Sequence, residues 1–183
     1  MTQADCQVTD RAEGPEGTAT ATFDISRTYR YGLTRAWDRN GPRVNVLMLN
    51  PSTADAFGLD PTLRRCVGFA RAWGFGSLEV TNLFAFRSTD PRAMLAHDDP
   101  VGHDNDEAIG GAARRSDRVV VAWGTRGCHL GRADEVACLL AGLGVEVEAL
   151  GVTRSGQPVH PLYLARDTLP VRWSHPTARA EPV

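Results

Sequence analysis

Four short apolar runs constrain this chain most. They are RVNVLML (Arg43–Leu49), LEVTNL (Leu78–Leu83), RVVVA (Arg118–Ala122) and VEVEAL (Val145–Leu150). Each has strand length, and the stretches between them carry helical patterns. Asp60-Pro61-Thr62 is a helix start, with Asp as N-cap and Pro at the first helical position. Leu63, Val67, Ala70 and Trp73 follow at helical spacing, and Gly74 ends the helix. A second helix is expected from about Asn105 to Arg115 behind Asp104, and a third over Arg132–Leu143. The segment 91–103, with Pro91, Pro100 and Gly102, reads as a loop. Strands alternating with helices build a parallel sheet covered on both faces. The expected fold class is therefore α/β, a three-layer sandwich with a short central parallel sheet.

Upstream, Ala19–Ile25 and Tyr29–Leu33 alternate and are expected to pair as a hairpin around Ser26-Arg27. Residues 1–18 show no period and read as a flexible tail, as do residues 174–183. One α/β domain over residues 19–173 is left, a normal size for a single core. The apolar runs are far shorter than the ~18 to 20 residues that span a bilayer. The first residues, MTQADCQVTDRAEGPEGT, have neither a basic region nor an apolar region of a secretory signal. The expectation is a cytoplasmic protein that does not engage a membrane.

The formal net charge is −2, so strong binding to duplex DNA is not expected. All 20 basic residues are Arg, which rules out Schiff-base chemistry on a lysine and a P-loop lysine. The four cysteines, Cys6, Cys66, Cys128 and Cys138, form no CxxC pair, so no zinc or iron–sulfur site is expected. His97, Asp98, Asp99, His103, Asp104 and Asp106 have metal-like composition but match no ligand spacing. A charged loop entering a helix N-terminus accounts for them. No cofactor is implied.

In parallel sheets ligands bind beyond the carboxyl ends of the strands. The first strand ends at Asn50-Pro51-Ser52, the second at Asn82-Leu83-Phe84, and the third at Trp123-Gly124. After the fourth comes GQPVHPLYL, with His160 and Tyr163. Amides, an imidazole and aromatic rings gathered on one edge suit a flat heterocycle. Each group also has a plainer reading. Asn50-Pro51-Ser52 is a good turn, Asp60 is a good cap, and Arg64, Arg65 and Arg87 are either solvated or phosphate-binding. Asp55 has no capping duty and is a candidate to activate a water. Cys128-His129 is a thiol beside an imidazole, although adjacent residues rarely face one another productively.

The set LNPSTAD, DPTLRRC, TNLFAFRSTDP, VG-x-DND, AWG and GQPVHPLYL resembles a bacterial family known as domain of unknown function 1643, over about residues 28–165. More distantly, the order of motifs resembles the uracil-DNA glycosylase superfamily. There a first strand ends in a motif such as G-x-N-P-G and a second in an Asn that reads the base. A third ends near a Gly, and a last motif begins with His-Pro. This resemblance implies a uracil-DNA-glycosylase-like sandwich. It implies that Asn50 positions a water, Asn82 hydrogen-bonds the base edge, His160 stabilises charge on the departing base, and Phe84 or Trp123 stacks on the ring. Ser52 stands where those proteins have a second Gly, and Leu162-Tyr163 follows His-Pro in place of Ser-Pro.

The resulting expectation is a monofunctional N-glycosidase-like hydrolase acting on a nucleoside, nucleotide or single-stranded nucleic acid. Its catalytic residues would be Asn50, His160 and Asp55. Pro51, Ser52, Arg64, Arg65, Asn82, Phe84, Arg87, Trp123 and Tyr163 would contact substrate. The alternatives are a base- or nucleotide-binding protein without catalysis and a DNA repair glycosylase.

Overall fold

The computed structural model describes residues 7–52 and 56–175, with the backbone alone at Tyr163. The strands are β1 (Gln7–Gly14), β2 (Gly17–Asp24), β3 (Arg30–Ala36), β4 (Arg43–Met48), β5 (Ser77–Asn82), β6 (Arg118–Val121), β7 (Val147–Ala149) and β8 (Val171–Arg172). The helices are α1 (Pro61–Ala72), α2 (Pro91–Leu95), α3 (Asn105–Arg114) and α4 (Arg132–Gly142). All eight strands join one sheet in the order β1-β2-β3-β5-β4-β6-β7-β8.

The four runs read as strands from the sequence form the parallel block β5-β4-β6-β7. Strands β4, β5 and β6 are buried on both faces, which is why they read as largely apolar runs; β7, half-buried at Val147 and Glu148, alternates. Val44, Val46 and Met48 of β4 pack with Leu63, Cys66, Phe69 and Ala70 of α1. Leu47, between them, points the other way to Ile109 and Ala113 of α3 and Val136 and Leu140 of α4. Helices thus cover both faces.

The sheet as a whole differs from the short parallel sheet expected. Four of its seven pairings are antiparallel, so the fold is mixed α/β with a mostly antiparallel eight-stranded sheet. The β2–β3 hairpin forms where the alternation placed it, and β3 then pairs with β5, fusing the hairpin to the parallel block. Residues 7–14, expected to be tail, are the edge strand β1. Its side chains are all exposed or half-buried; backbone pairing with β2 and the Asp10–Arg27 ion pair hold it, with little apolar patterning to signal it. At the other end, β8 pairs with β7, and His175 lies buried beside Asp134, with Nε2 2.9 Å from the carboxylate. Residues 174 and 175 of the expected C-terminal tail thus belong to the fold, while the rest of that tail, 176–183, and residues 1–6 of the expected N-terminal tail lie outside the described residues.

Helix α1 starts as expected: Asp60 Oδ1 accepts from the Leu63 N–H at 2.7 Å and Pro61 opens the helix. Gly74 follows with φ +84, a conformation glycine adopts without strain. The segment 91–103 is not all loop. Asp90 caps the five-residue α2, which buries Met94. One and a half turns are too short for a periodic signal.

Candidate functional site

Beyond the carboxyl ends of β4 and β6 lies a cavity of about 690 Å³. Asn50, Ser52, Asp60, Thr89, His160 and Arg30 lie on its wall. The loop after β4 supplies Asn50 and Ser52, and the N-cap of α1 supplies Asp60. Thr89 comes from the loop after β5, His160 from the loop after β7, and Arg30 from the start of β3.

Asp60 has two structural duties and faces the cavity. Pro61 fixes the helix start, so the carboxylate lies at the N-terminus of α1, where the dipole favours negative charge. Oδ1 takes the Leu63 N–H, and Oδ2 accepts from the Ser52 hydroxyl. A carboxylate has about four acceptor positions, so Asp60 retains capacity for a ligand.

His160 is held by its flanks. Gly124 N–H donates to the Pro158 carbonyl at 2.8 Å, tying the end of β6 to the His160 loop. Gly124 has φ +73 and ψ −175, a region essentially reserved for glycine. On the other side His160 caps a single 3₁₀ turn, Pro161–Tyr163, and its Nδ1 accepts from the Leu162 N–H at 3.3 Å. With Nδ1 accepting, the neutral ring carries its proton on Nε2. Burial pushes the His160 pKa below its ordinary value, and the Asp60 carboxylate opposes that shift. The group is a neutral imidazole at pH 7 and offers an N–H donor.

Asn50 has less freedom than a catalytic amide requires of its NH₂. Nδ2 donates to the Ser88 carbonyl at 2.9 Å and to the Pro51 carbonyl at 3.2 Å. Both neighbours are acceptors, which sets the amide orientation. Only Oδ1 remains for a ligand or water. The same contact clamps the loop after β4 to the loop after β5, with Ser88 N–H donating to the Pro51 carbonyl at 2.9 Å.

Asn82 closes β5 as expected, but it stands behind the wall. It is 2% exposed, and its Oδ1 lies 3.4 Å from Arg30 Nη2. Its Nδ2 is buried without a hydrogen-bond partner. Arg30, also 2% exposed, is the residue of this pair that reaches the cavity. A buried guanidinium on a cavity wall favours an oxygen-rich or anionic group.

Other expected contacts lie elsewhere. Phe84 is fully buried in the core beneath α3 and α4. Trp123 borders the cavity, yet its ring is 1% exposed, its Nε1 donates to Gln157 at 2.8 Å, and Trp173 meets it edge-on at 5.3 Å. Neither ring has a free face on which a base can stack. Arg87 donates to the Arg27 carbonyl at 3.0 Å and lies 4.8 Å over the Phe23 ring. Arg64 and Arg65 line a separate groove along α1. Pro51 is buried and holds its neighbours through its carbonyl. Asp55 lies outside the described residues, as does the side chain of Tyr163.

Several residues of the acidic loop make contacts within the fold. The His97 ring stacks on Phe86 at 3.9 Å, and its Nδ1 accepts from the Asp99 N–H at 3.1 Å. Asp106 pairs with the buried Arg132. Among the described residues, no group of three His, Cys, Asp or Glu side chains is placed to hold a metal. Cys128 is exposed on the turn after β6, while the His129 ring packs near Phe84.

Sequence reasoning did not single out Arg30, Thr89 or Arg126 as site residues, and it read Asp60 mainly as a cap. Arg30 sits in an antiparallel strand that gives no strand-end cue. The capping reading of Asp60 is correct but incomplete, because the helix it caps begins at the cavity.

No curated protein and no solved structure matches the chain significantly. A family described as protein of unknown function (DUF1643) matches residues 30–162. That span runs from Arg30 through Asn50, Asp60 and Asn82 to His160 and covers most of the cavity wall, and the chain belongs to this family.

Proposed function

We propose that this cavity hydrolyses the N-glycosidic bond of a nucleobase-containing small molecule or single-stranded nucleic acid. The observation that carries the reading is the pairing, on one wall, of the Asp60 carboxylate with a neutral His160 whose proton is on Nε2. Hydrolysis of such a bond needs two things. Positive charge developing on the sugar must be stabilised and a water deprotonated, which is carboxylate chemistry. Negative charge developing on the departing base must meet a preorganised donor, which the His160 N–H supplies.

Asp60 is the carboxylate in this scheme. It takes the water-activating part that the sequence assigned to Asn50 and Asp55, and Asn50 Oδ1 orients the water. Arg30, positioned by Asn82, donates to an oxygen on the base. The water's oxygen bonds to the anomeric carbon as the carbon–nitrogen bond breaks. Its proton passes to Asp60, and the base leaves as an anion hydrogen-bonded to His160. With no lysine in the chain, no lysine Schiff base with the product sugar forms.

The distant uracil-DNA-glycosylase resemblance enters as part of this proposal. It is supported by Asn82 ending β5 and by Asn50, Gly124 and His160 following β4, β6 and β7, the four adjacent parallel strands. Binding without catalysis is the second reading, favoured by the structural duties that Asn50 and Asp60 already discharge.

The test is incubation of the full chain with nucleosides, 5′-mononucleotides and base-modified single-stranded and duplex oligonucleotides, with chromatography for released base. Release abolished by Asp60→Asn and His160→Gln is the expected result. Measurable binding of a base with no release from any substrate would replace hydrolysis by the binding reading. Release from duplex DNA alone would point to repair.

A further inference from the structure

Several arginines of this chain are paired with carboxylates. Arg27 pairs with Asp10, Arg43 and Arg115 with Glu79, Arg92 with Asp90, Arg118 with Glu148, Arg132 with Asp106 and Glu135, and Arg172 with Glu146. Arg64, Arg65 and Arg166 are set apart by their place together in one groove that no acidic residue lines. Among the described residues none of the three has a carboxylate within ion-pair distance, yet all three line one groove of about 510 Å³. No acidic residue lines that groove. Helix α1, which forms one wall, has three arginines and no acid in its twelve residues. In a chain with 22 acidic and 20 basic residues, three unneutralised guanidinium groups on one concavity make a local positive field.

The groove has features of a binding surface. Arg65 lies 5.0 Å over the Phe69 ring, which limits its motion, and its Nε is buried without a hydrogen-bond partner. Gly68 on the same wall leaves open space where a side chain would stand, since a Cβ there would meet nothing within 4 Å. The groove also adjoins the cavity through the first turn of α1. Pro61, Arg64 and Arg65 line the groove, while Asp60, Thr62 and Leu63 line the cavity. Thr62 and Arg65 are three residues apart, so they occupy neighbouring places on the helix surface.

We infer that the groove of Arg64, Arg65 and Arg166 binds a phosphate ester of the molecule whose base-and-sugar portion occupies the cavity. The inference rests on the proposed hydrolysis and adds a substrate class: phosphorylated nucleosides or nucleic acid strands in preference to free nucleosides. Guanidinium forks match phosphate oxygens in shape and charge. A ligand anchored there would place its sugar near Asp60, one helical turn away.

The test compares matched pairs. For a nucleoside and its 5′-mononucleotide, kcat/KM for base release is measured with the wild-type chain and with Arg64→Gln, Arg65→Gln and Arg166→Gln. Binding of inorganic phosphate, the mononucleotide and a single-stranded 12-mer is measured by calorimetry in parallel. The wild type should favour the mononucleotide over the nucleoside by about tenfold or more, as for a hydrogen bond to a charged group. Each variant should narrow that ratio, and Arg64→Gln and Arg166→Gln, both at exposed positions, keep the comparison meaningful if Arg65→Gln disturbs packing. Mononucleotide and 12-mer binding with equal affinity would identify a free nucleotide as the source of the phosphate. Tighter 12-mer binding with a steep salt dependence would identify a strand. A mononucleotide-to-nucleoside ratio near one, or a ratio unchanged in all three variants, overturns the inference. If no base is released from any substrate, the hydrolysis reading fails alone: phosphate-dependent binding lost in the variants still supports the groove, and binding indifferent to phosphate overturns it.

Discussion

Replacing Asp60 separates its structural duty from the chemical one proposed for it. Asp60→Ala removes the acceptor of the Leu63 N–H, the partner of the Ser52 hydroxyl and the negative charge at the start of α1. Loss of an N-cap side chain costs about 1 kcal/mol. Loss of charge at the helix terminus adds ~0.3–1 kcal/mol. Asp60→Ala should therefore lower stability by roughly 1.5–2 kcal/mol, adding those two contributions. Asp60→Asn keeps a capping oxygen, since Asn caps about as well as Asp, and should cost only about 0.5 kcal/mol for the lost charge. In a chain of this size 1 kcal/mol corresponds to about 2–4 °C in Tm. The alanine variant should melt several degrees below wild type and the asparagine variant within about 2 °C of it.

Base release should respond differently. Both variants lack the carboxylate, so both should lose about 10²- to 10⁴-fold in kcat, the usual scale for a general base. Urea denaturation followed by circular dichroism reads the first quantity, and single-turnover chromatography reads the second. An asparagine variant that is nearly as stable as wild type and nearly inactive is the expected combination. If Asp60→Asn retains kcat within a few-fold, Asp60 is a cap and the catalytic assignment is wrong. If it is as unstable as Asp60→Ala, the capping argument is wrong.

Three further outcomes follow from named contacts. Burial lowers the His160 pKa, so below its ordinary value of about 6.5 the unfolded chain binds protons that the folded chain refuses. This contribution to stability is complete above about pH 6.5 and is lost as pH falls through the lowered folded pKa. His160→Gln should flatten the stability–pH curve between about pH 7 and 5, and parallel wild-type and variant curves by urea denaturation would contradict the assignment. Asn50→Asp should destabilise more than Asn50→Ala, because a carboxylate oxygen would face the Ser88 carbonyl that Nδ2 now meets at 2.9 Å; the order of their urea midpoints decides it. Gly127→Ala would place a Cβ against the Trp123 ring, whose N–H and edge are already fixed by Gln157 and Trp173. The overpacking should cost about 1–3 kcal/mol in urea denaturation, and a neutral effect would show that the ring can shift.

The legibility of the fold follows burial. Strands β4, β5 and β6 announce themselves because they are covered on both sides and read as largely apolar runs, and β7 because its half-buried residues alternate. Helix α1 is legible from one end to the other, since Asp60-Pro61 and Gly74 have distinct conformational roles. Strand β1 is silent: QVTDRAEG has no apolar face, and its backbone bonds to β2 carry no composition signal. The two-residue β8 is silent because it is shorter than any period. The antiparallel character of the sheet depends on β3 lying beside β5. That is a long-range pairing, and neither strand's pattern specifies its neighbour.

The site divides along a related line. Residues placed by the end of a parallel strand were found by the strand-end rule: Asn50 and Ser52 after β4 and His160 beyond β7 all face the cavity. The rule locates a residue along the chain and says nothing about the direction of its side chain. Trp123 and Phe84 are therefore near strand ends and yet turned into the core, where their area is better buried than exposed. Asn82 is turned inward too, and the reach into the cavity passes to Arg30 from the neighbouring antiparallel strand. A side chain one strand away thus occupies the place that the local sequence seemed to give to an amide. Substituting Arg30 by Gln should consequently weaken ligand binding at least as much as Asn82→Ala, because Arg30 lines the cavity and Asn82 stands behind it. The reverse order in a calorimetric comparison would return the amide to the cavity wall.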